Sequence, residues 1–151
     1  MPTVIATDIS VRRLQQEDLP LLEQMYATFV PLREAFGLPP RDAAGRRSWL
    51  AKLQGGINLV AFADAKLAGH VVLMPNKHSA EMAVFVHQDF RRRAIGAALA
   101  RAAVAEARAQ GLRFLWVLIS TDNSAARAGL LSFGFLTSWE SLGEIQMVYR
   151  L

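Results

Sequence analysis

The sequence predicts an α/β fold: a single domain around a mixed sheet, mostly antiparallel, with one parallel βαβ unit. Two stretches, 58–74 and 135–151, read as hairpins, each a pair of apolar runs joined by a short polar turn. Between them lie two strongly apolar runs, 82–86 and 113–119, separated by a loop and an alanine-rich segment. The length, 151 residues, is that of one domain. We therefore read one domain over 1–151, and find no internal repeat, low-complexity tract or long linker to divide it.

The elements follow in order. A short strand is expected over 9–14, and Gln16, Glu17 and Asp18 open a helix. Leu21, Leu22, Met25, Tyr26 and Phe29 give that helix an apolar stripe. Gly37, Leu38, Pro39 and Pro40 read as a loop, then a helix runs over 41–53 until Gly55 and Gly56 stop it. The first hairpin has strands 58–63 and 67–74 around Asp64, Ala65 and Lys66. The run 82–86 is continuously apolar, as expected of a strand covered on both faces. A turn over 91–96 leads into a helix over 97–110, which Gly111 ends. Strand 113–119 then completes a right-handed βαβ crossover. A helix over 124–133 and the hairpin 135–141 and 144–151 close the chain, with Ile145, Met147, Tyr149 and Leu151 alternating with polar residues except at Val148.

Composition removes several functions. With 52% hydrophobic residues the chain is not disordered. Without cysteine it has no disulfide, thiolate metal site or cysteine nucleophile. His70, His78 and His87 lack metal-ligand spacing, so no metal is expected. Ser120, Ser124 and Ser132 lack the elbow of a serine hydrolase. No apolar run is long enough to span a membrane, and the opening residues lack the basic and apolar segments of a signal peptide. The expectation is a soluble cytoplasmic protein.

A net charge of +4 fits an anionic partner. The best candidate site is Arg91-Arg92-Arg93-Ala94-Ile95-Gly96-Ala97, between a buried strand and a helix. The first turn of a helix has unpaired N–H groups and the positive end of the macrodipole. Small residues let a ligand approach the backbone. Arginines sit poorly at a helix N-terminus unless an anion joins them. The sequence lacks both the GxxxxGK[ST] phosphate loop and the GxGxxG dinucleotide fingerprint. A nucleic-acid role, resting on Arg91 to Arg93, Arg101, Arg108, Arg113 and Arg127, lacks a recognisable binding motif.

The stretch from Val84, Phe85 and Val86 through His87 and Phe90 to Gly96 resembles the acetyl-CoA motif of the GNAT superfamily of N-acetyltransferases. That motif has Gln or Arg, then Gly three positions on, then Gly or Ala two further. Arg91 takes the first position, Ala94 the middle glycine and Gly96 the last. Val11 to Leu14 with Glu17 and Asp18, the hairpin around Gly69, and Asn123 through Gly134 and Phe135 are similar to other parts of the family. The resemblance implies an acetyl-CoA-dependent transfer to an amine: a protein lysine or N-terminus, or a small amine. It implies that backbone groups of Val84 and Val86 pair with the pantetheine arm where two parallel strands splay. The amides of 91–96 would hold the pyrophosphate, Asn123 would touch the cofactor, and the N–H near Val84 would polarise the thioester carbonyl. It is also compatible with a homodimer through C-terminal strands. Two departures stand out. Ala94 replaces a glycine, and Leu130 takes the position where many members carry a proton-donating tyrosine.

Amine acetylation needs a base. Glu81, at the start of the strand leading to the loop, is the candidate, with His78 and His87 as alternates. Tyr26 and Phe29 read either as helix packing or as acceptor-pocket walls, and Trp49, Trp116 and Trp139 as core or edge packing. The alternative function is a CoA or acyl-CoA binding or interaction module without turnover.

Overall fold

The structure is a computed structural model that describes residues 8–30 and 39–151. Its strands are β1 (Ile9–Arg13), β2 (Ile57–Ala63), β3 (Lys66–Asn76), β4 (Ser79–Val86), β5 (Phe114–Ser120), β6 (Leu136–Ser141) and β7 (Glu144–Arg150). Its helices are α1 (Leu19–Ala27), α2 (Ala43–Leu53), α3 (Ile95–Ala109) and α4 (Ser124–Phe133), with 3-10 turns at Gln16–Asp18 and Gln88–Phe90. One seven-stranded sheet has the order β1-β2-β3-β4-β5-β7-β6. Only β4 and β5 pair in parallel. The expected fold class therefore holds: a mixed sheet, mostly antiparallel, with one βαβ unit.

The alternation of side chains along each strand sorts the core onto two faces. Met82, Leu73, Val71, Leu115, Val117, Ile145 and Met147 pack against Ile95, Leu99, Ala103 and Ala107 of α3. On the other face, Val60, Leu67 and Phe85 pack against Leu22, Met25, Tyr26 and Phe29 at and beyond α1, and Leu50 of α2. Tyr26 and Phe29 are buried there, so packing explains both. Trp49 joins them, its ring edge-on to Tyr26 and Phe85 at 5.0 and 5.4 Å.

Several boundaries move. The opening strand stops at Arg13, and the first helix begins at Leu19 after a 3-10 turn. Pro20 explains the delay, because proline fits the first turn of a helix. The second helix begins at Ala43, where the Asp42 side chain accepts from the Gly45 N–H at 2.5 Å. The expected loop over 37–40 lies partly outside the described residues. β4 starts at Ser79 rather than Met82, and its residues alternate between buried and half-buried rather than being covered on both faces. β6 lies at the sheet edge and is exposed along its whole length.

A polar chain runs through the apolar face under α1. His70 Nε2 lies 2.8 Å from Asn58 Oδ1, and His70 Nδ1 lies 2.6 Å from the Tyr26 hydroxyl. The Asn58 amide donates to the Leu53 and Gly56 carbonyls, which turns its Oδ1 towards His70. His70 therefore donates from Nε2, and the Tyr26 hydroxyl donates to Nδ1. Every polar atom of this buried triad is thereby satisfied.

Burial lowers the His70 pKa from 6.5 to about 3. Between those values the unfolded chain binds a proton that the folded chain does not. Stability therefore rises with pH across that window, by up to about 1.4 kcal/mol per unit, and is lost as pH falls. Gln can keep both hydrogen bonds without titrating. The urea midpoint of His70→Gln should depend less on pH between 5 and 6.5 than that of the wild type; parallel curves would remove His70 as the cause.

Candidate active site

The site begins where β4 and β5 part. They pair only at Ser79–Phe114, Ala80–Leu115 and Glu81–Trp116. β4 continues to Val86 and β5 to Ser120 with no pairing between these later segments. The His87 N–H donates to the Ala68 carbonyl, on the β3 side. Two-residue alternation then turns the N–H and carbonyl groups of Val84 and Val86 to the opposite edge, facing the gap. β4 and β5 thus part beyond Glu81, and the Val84 and Val86 backbone groups line the opening.

The loop beyond β4 fits an anion. Arg92 and Ala94 adopt left-handed backbone, φ 64° and 61°, with Arg93 between them at negative φ. Such alternation gathers consecutive N–H groups into one concavity. Ala94 is the N-cap of α3, with no side-chain capping bond, so the first turn of α3 keeps its donors for something else. Helix α3 begins at Ile95, two residues earlier than the sequence implied. Ile95 is buried against the core and fixes the angle at which the helix leaves the loop. A Cβ at Gly96 would meet only Val86 Cγ2, at 3.7 Å. Packing within the chain therefore does not require glycine there.

The three arginines differ. Arg91 turns away from the concavity: its Nε donates to the Val86 carbonyl at 3.0 Å and its Nη2 to the Val30 carbonyl. Its guanidinium lies 5.4 Å from the Phe29 ring centroid. Arg93 stands 3.9 Å from Asp64 and over Phe90. Arg92 has neither an ion pair nor a hydrogen bond among the described residues. The Arg91 side chain is thus engaged with the backbone at Val86 and Val30.

On the far side of the gap, Asn123 caps α4, its Oδ1 accepting from the Ala126 N–H at 3.1 Å. Helix α4 ends at Gly134, where φ is 122° and a Cβ would come within 3.1 Å of the Tyr149 ring. This is a physical reason for glycine before Phe135. Leu130 packs against the α3-side core and carries no proton to give.

Glu81 is the last β4 residue that pairs with β5, so its side chain stands at the apex of the gap. It shares the α1–α2 side of the sheet with Trp116 of β5 and Val148 of β7, which are opposite one another, and all three are half-buried. Burial raises the Glu81 pKa. The alternates fare otherwise. His78 is exposed in the turn at the other end of β4. His87 is buried, not a surface loop residue. Its Nδ1 accepts from the Asp89 N–H at 3.2 Å and its Nε2 lies 2.9 Å from Thr28 Oγ1, so no nitrogen is left to take a substrate proton.

The sequence profile of the acetyltransferase (GNAT) family matches residues 12–135. The chain belongs to the GNAT family of acetyltransferases. Solved GNAT structures share its fold. The ribosomal-protein-alanine N-acetyltransferase from Brucella melitensis is 25% identical and has a TM-score of 0.76, over 94% of this chain and 99% of that one. The Salmonella typhimurium protein yncA, solved with its cofactor acetyl-CoA, is 20% identical, with TM-score 0.76 over 95% and 94%. The paia N-acetyltransferase from Thermoplasma acidophilum, in complex with coenzyme A, is 18% identical, with TM-score 0.78 over 95% and 99%. No curated protein matches the sequence. As a GNAT acetyltransferase the protein is an acyltransferase with an acceptor substrate. Among the described residues no group of His, Asp and Glu could hold a metal, and no helix is long and apolar enough to cross a membrane.

Alanine at φ 61° carries a steric cost that glycine does not. Ala94→Gly should stabilise the protein by about 1 kcal/mol in urea unfolding, despite the greater freedom it gives the unfolded chain. A loss of stability would show that residue 94 is not held left-handed.

Proposed function

We propose that this GNAT enzyme transfers the acetyl group of acetyl-CoA directly to an amine, either a protein lysine or N-terminus or a small amine. Acetyl-CoA is the acyl donor. The observation that carries the reading is the continuity of three features: the strand gap, the left-handed loop and the open first turn of α3. A linear thioester with a pyrophosphate needs an apolar-walled slot with backbone partners, ending in an anion site, and these features provide both in sequence. The Val84 and Val86 amides would pair with the pantetheine arm. The amides from Arg91 to Ala97, including Ile95, would hold the pyrophosphate, and Gly96 and Ala97 would leave it room. Arg92 and Arg93 would add positive charge at the rim, and Asn123 would meet the donor from beyond β5. Phe85 forms the floor under β4 on the acceptor side.

The chemistry then assigns itself by position. An amine approaching the apex of the gap meets Glu81. Its carboxylate takes a proton from the ammonium, directly or through one water, and frees the nitrogen lone pair. That nitrogen attacks the thioester carbon, the C–S bond breaks, and the sulfur leaves as a thiolate. The Val84 N–H steadies the negative charge that develops on the carbonyl oxygen. The attacking nitrogen still carries one proton more than an amide holds, and it passes that proton through water to the thiolate, which Leu130 cannot protonate. The half-buried Trp116, Leu118 and Val148 on the same side would receive the acceptor's apolar stem. An amine acceptor is also in keeping with the printed name of the Brucella neighbour.

Titration calorimetry with acetyl-CoA, and with dephospho-CoA for comparison, tests donor binding; a folded protein that gives no heat would overturn the reading. Gly96→Glu puts a carboxylate into the anion site and should weaken acetyl-CoA at least roughly 100-fold with the fold intact. Unchanged affinity would move the pyrophosphate elsewhere.

Glu81→Gln should lower turnover on a responsive amine roughly 100-fold or more, with acetyl-CoA affinity within about twofold. A base works deprotonated, and the Glu81 pKa is raised, so wild-type turnover should fall on acidification at a pH above the usual glutamate range. The same acidic limb persisting in Glu81→Gln would remove Glu81 as the base.

A further inference from the structure

Helix α1 ends without a glycine cap: Thr28 is its C-cap residue, and its N–H reaches back to the Tyr26 carbonyl. Side chains of the loop after β4 nonetheless reach several polar groups of the chain at this end. The Gln88 Nε2 donates to the Thr28 carbonyl at 2.5 Å, and Gln88 Oε1 accepts from the Val30 N–H at 3.0 Å. One side-chain amide thus pairs with the backbone at 28 and 30 as a neighbouring strand would. Arg91 donates to the Val30 carbonyl and, by its Nε, to the Val86 carbonyl. His87 Nε2 meets Thr28 Oγ1. Phe29, between these bonds, is buried, with Tyr26, Phe85 and His87 rings at centroid distances of 5.5, 6.0 and 6.3 Å.

Two separate tasks therefore fall on one short loop. Its backbone amides face the proposed anion site, and its side chains hold the end of α1, on the sheet face that carries Glu81. Arg91 belongs to both, because the Val86 carbonyl it occupies lies on the rim of the gap. We propose that Gln88 and Arg91 are positioning residues that couple donor binding to the end of α1. An anion that fixes the loop backbone fixes the roots of both side chains, and through them residues 28–30 on the acceptor side. This rests on the donor site proposed above, and goes beyond it in naming the residues that make the connection.

The probe is coenzyme A with the full chain. Amide hydrogen exchange at Val30, read with and without saturating coenzyme A, should slow roughly tenfold in the wild type, a size usual for coupled sites. In Gln88→Leu, which shortens the side chain by one atom and removes both hydrogen bonds, coenzyme A should still bind but Val30 exchange should no longer respond. Gln88→Glu keeps the acceptor for the Val30 N–H and should retain part of the response; it also serves if Gln88→Leu fails to fold. Calorimetric binding with no change at Val30 in the wild type, or an undiminished change in Gln88→Leu, would overturn the coupling alone. No binding of coenzyme A to the folded wild type would overturn the coupling and the donor site together. A merely structural Gln88 would shift stability without altering the response to ligand.

Discussion

A parallel strand pair that stops after three residues leaves an open row of backbone donors and acceptors on each side of the break. Buried amides need partners, and an exposed strand edge attracts another extended chain. Beyond Glu81 and Trp116 the sheet offers such an edge inside itself rather than at its margin. The rest of the molecule maintains that break. β3 pairs with β4 along its whole length and keeps it straight, while β7 does the same for β5. The α3 core, through Ile95, Leu99 and Val117, joins the two diverging strands from one side and keeps the gap from closing. The gap and the helix start meet because the chain leaving β4 must turn sharply to lay α3 across the sheet, and that turn holds two left-handed residues, Arg92 and Ala94.

Much of this was legible in the residues. The two hairpins, the alanine-rich helix between apolar runs, and the 124–133 helix follow from periodicity, which measures local burial directly. The loop over 91–97 was visible because basic residues at the wrong end of a helix are electrostatically odd. Three things were not. The start of α3 was misplaced because Ala94 is an unconventional cap: no Ser, Thr, Asp or Asn marks the boundary. The early start of β4 was hidden by Ser79 and Glu81, polar residues whose strand pairing comes from β3 and β5 rather than from their own propensity. The Arg91 side chain was read towards the anion when it in fact reaches Val30, sixty-one residues away in sequence. No local pattern encodes a contact across that distance.

The histidines show the same limit. From the sequence, His78 and His87 are alternates for the base, and His70 lies in a hairpin strand. The structure gives His70 two buried partners and His87 two others, so both have structural work. What separates a structural histidine from a catalytic one is whether a lone pair remains, and that depends on residues distant in the chain. Glu81 differs from both: none of the hydrogen bonds among the described residues involves its oxygens, and burial raises its pKa.

The clearance around Gly96 matters for anyone who evolves this enzyme. A methyl group there would touch one neighbouring carbon at an ordinary distance and would favour the helix. A screen that rewards heat resistance alone has no reason to reject it. Thermal selection on this scaffold would drift towards filling the space at the proposed donor site, and would report each such step as an improvement.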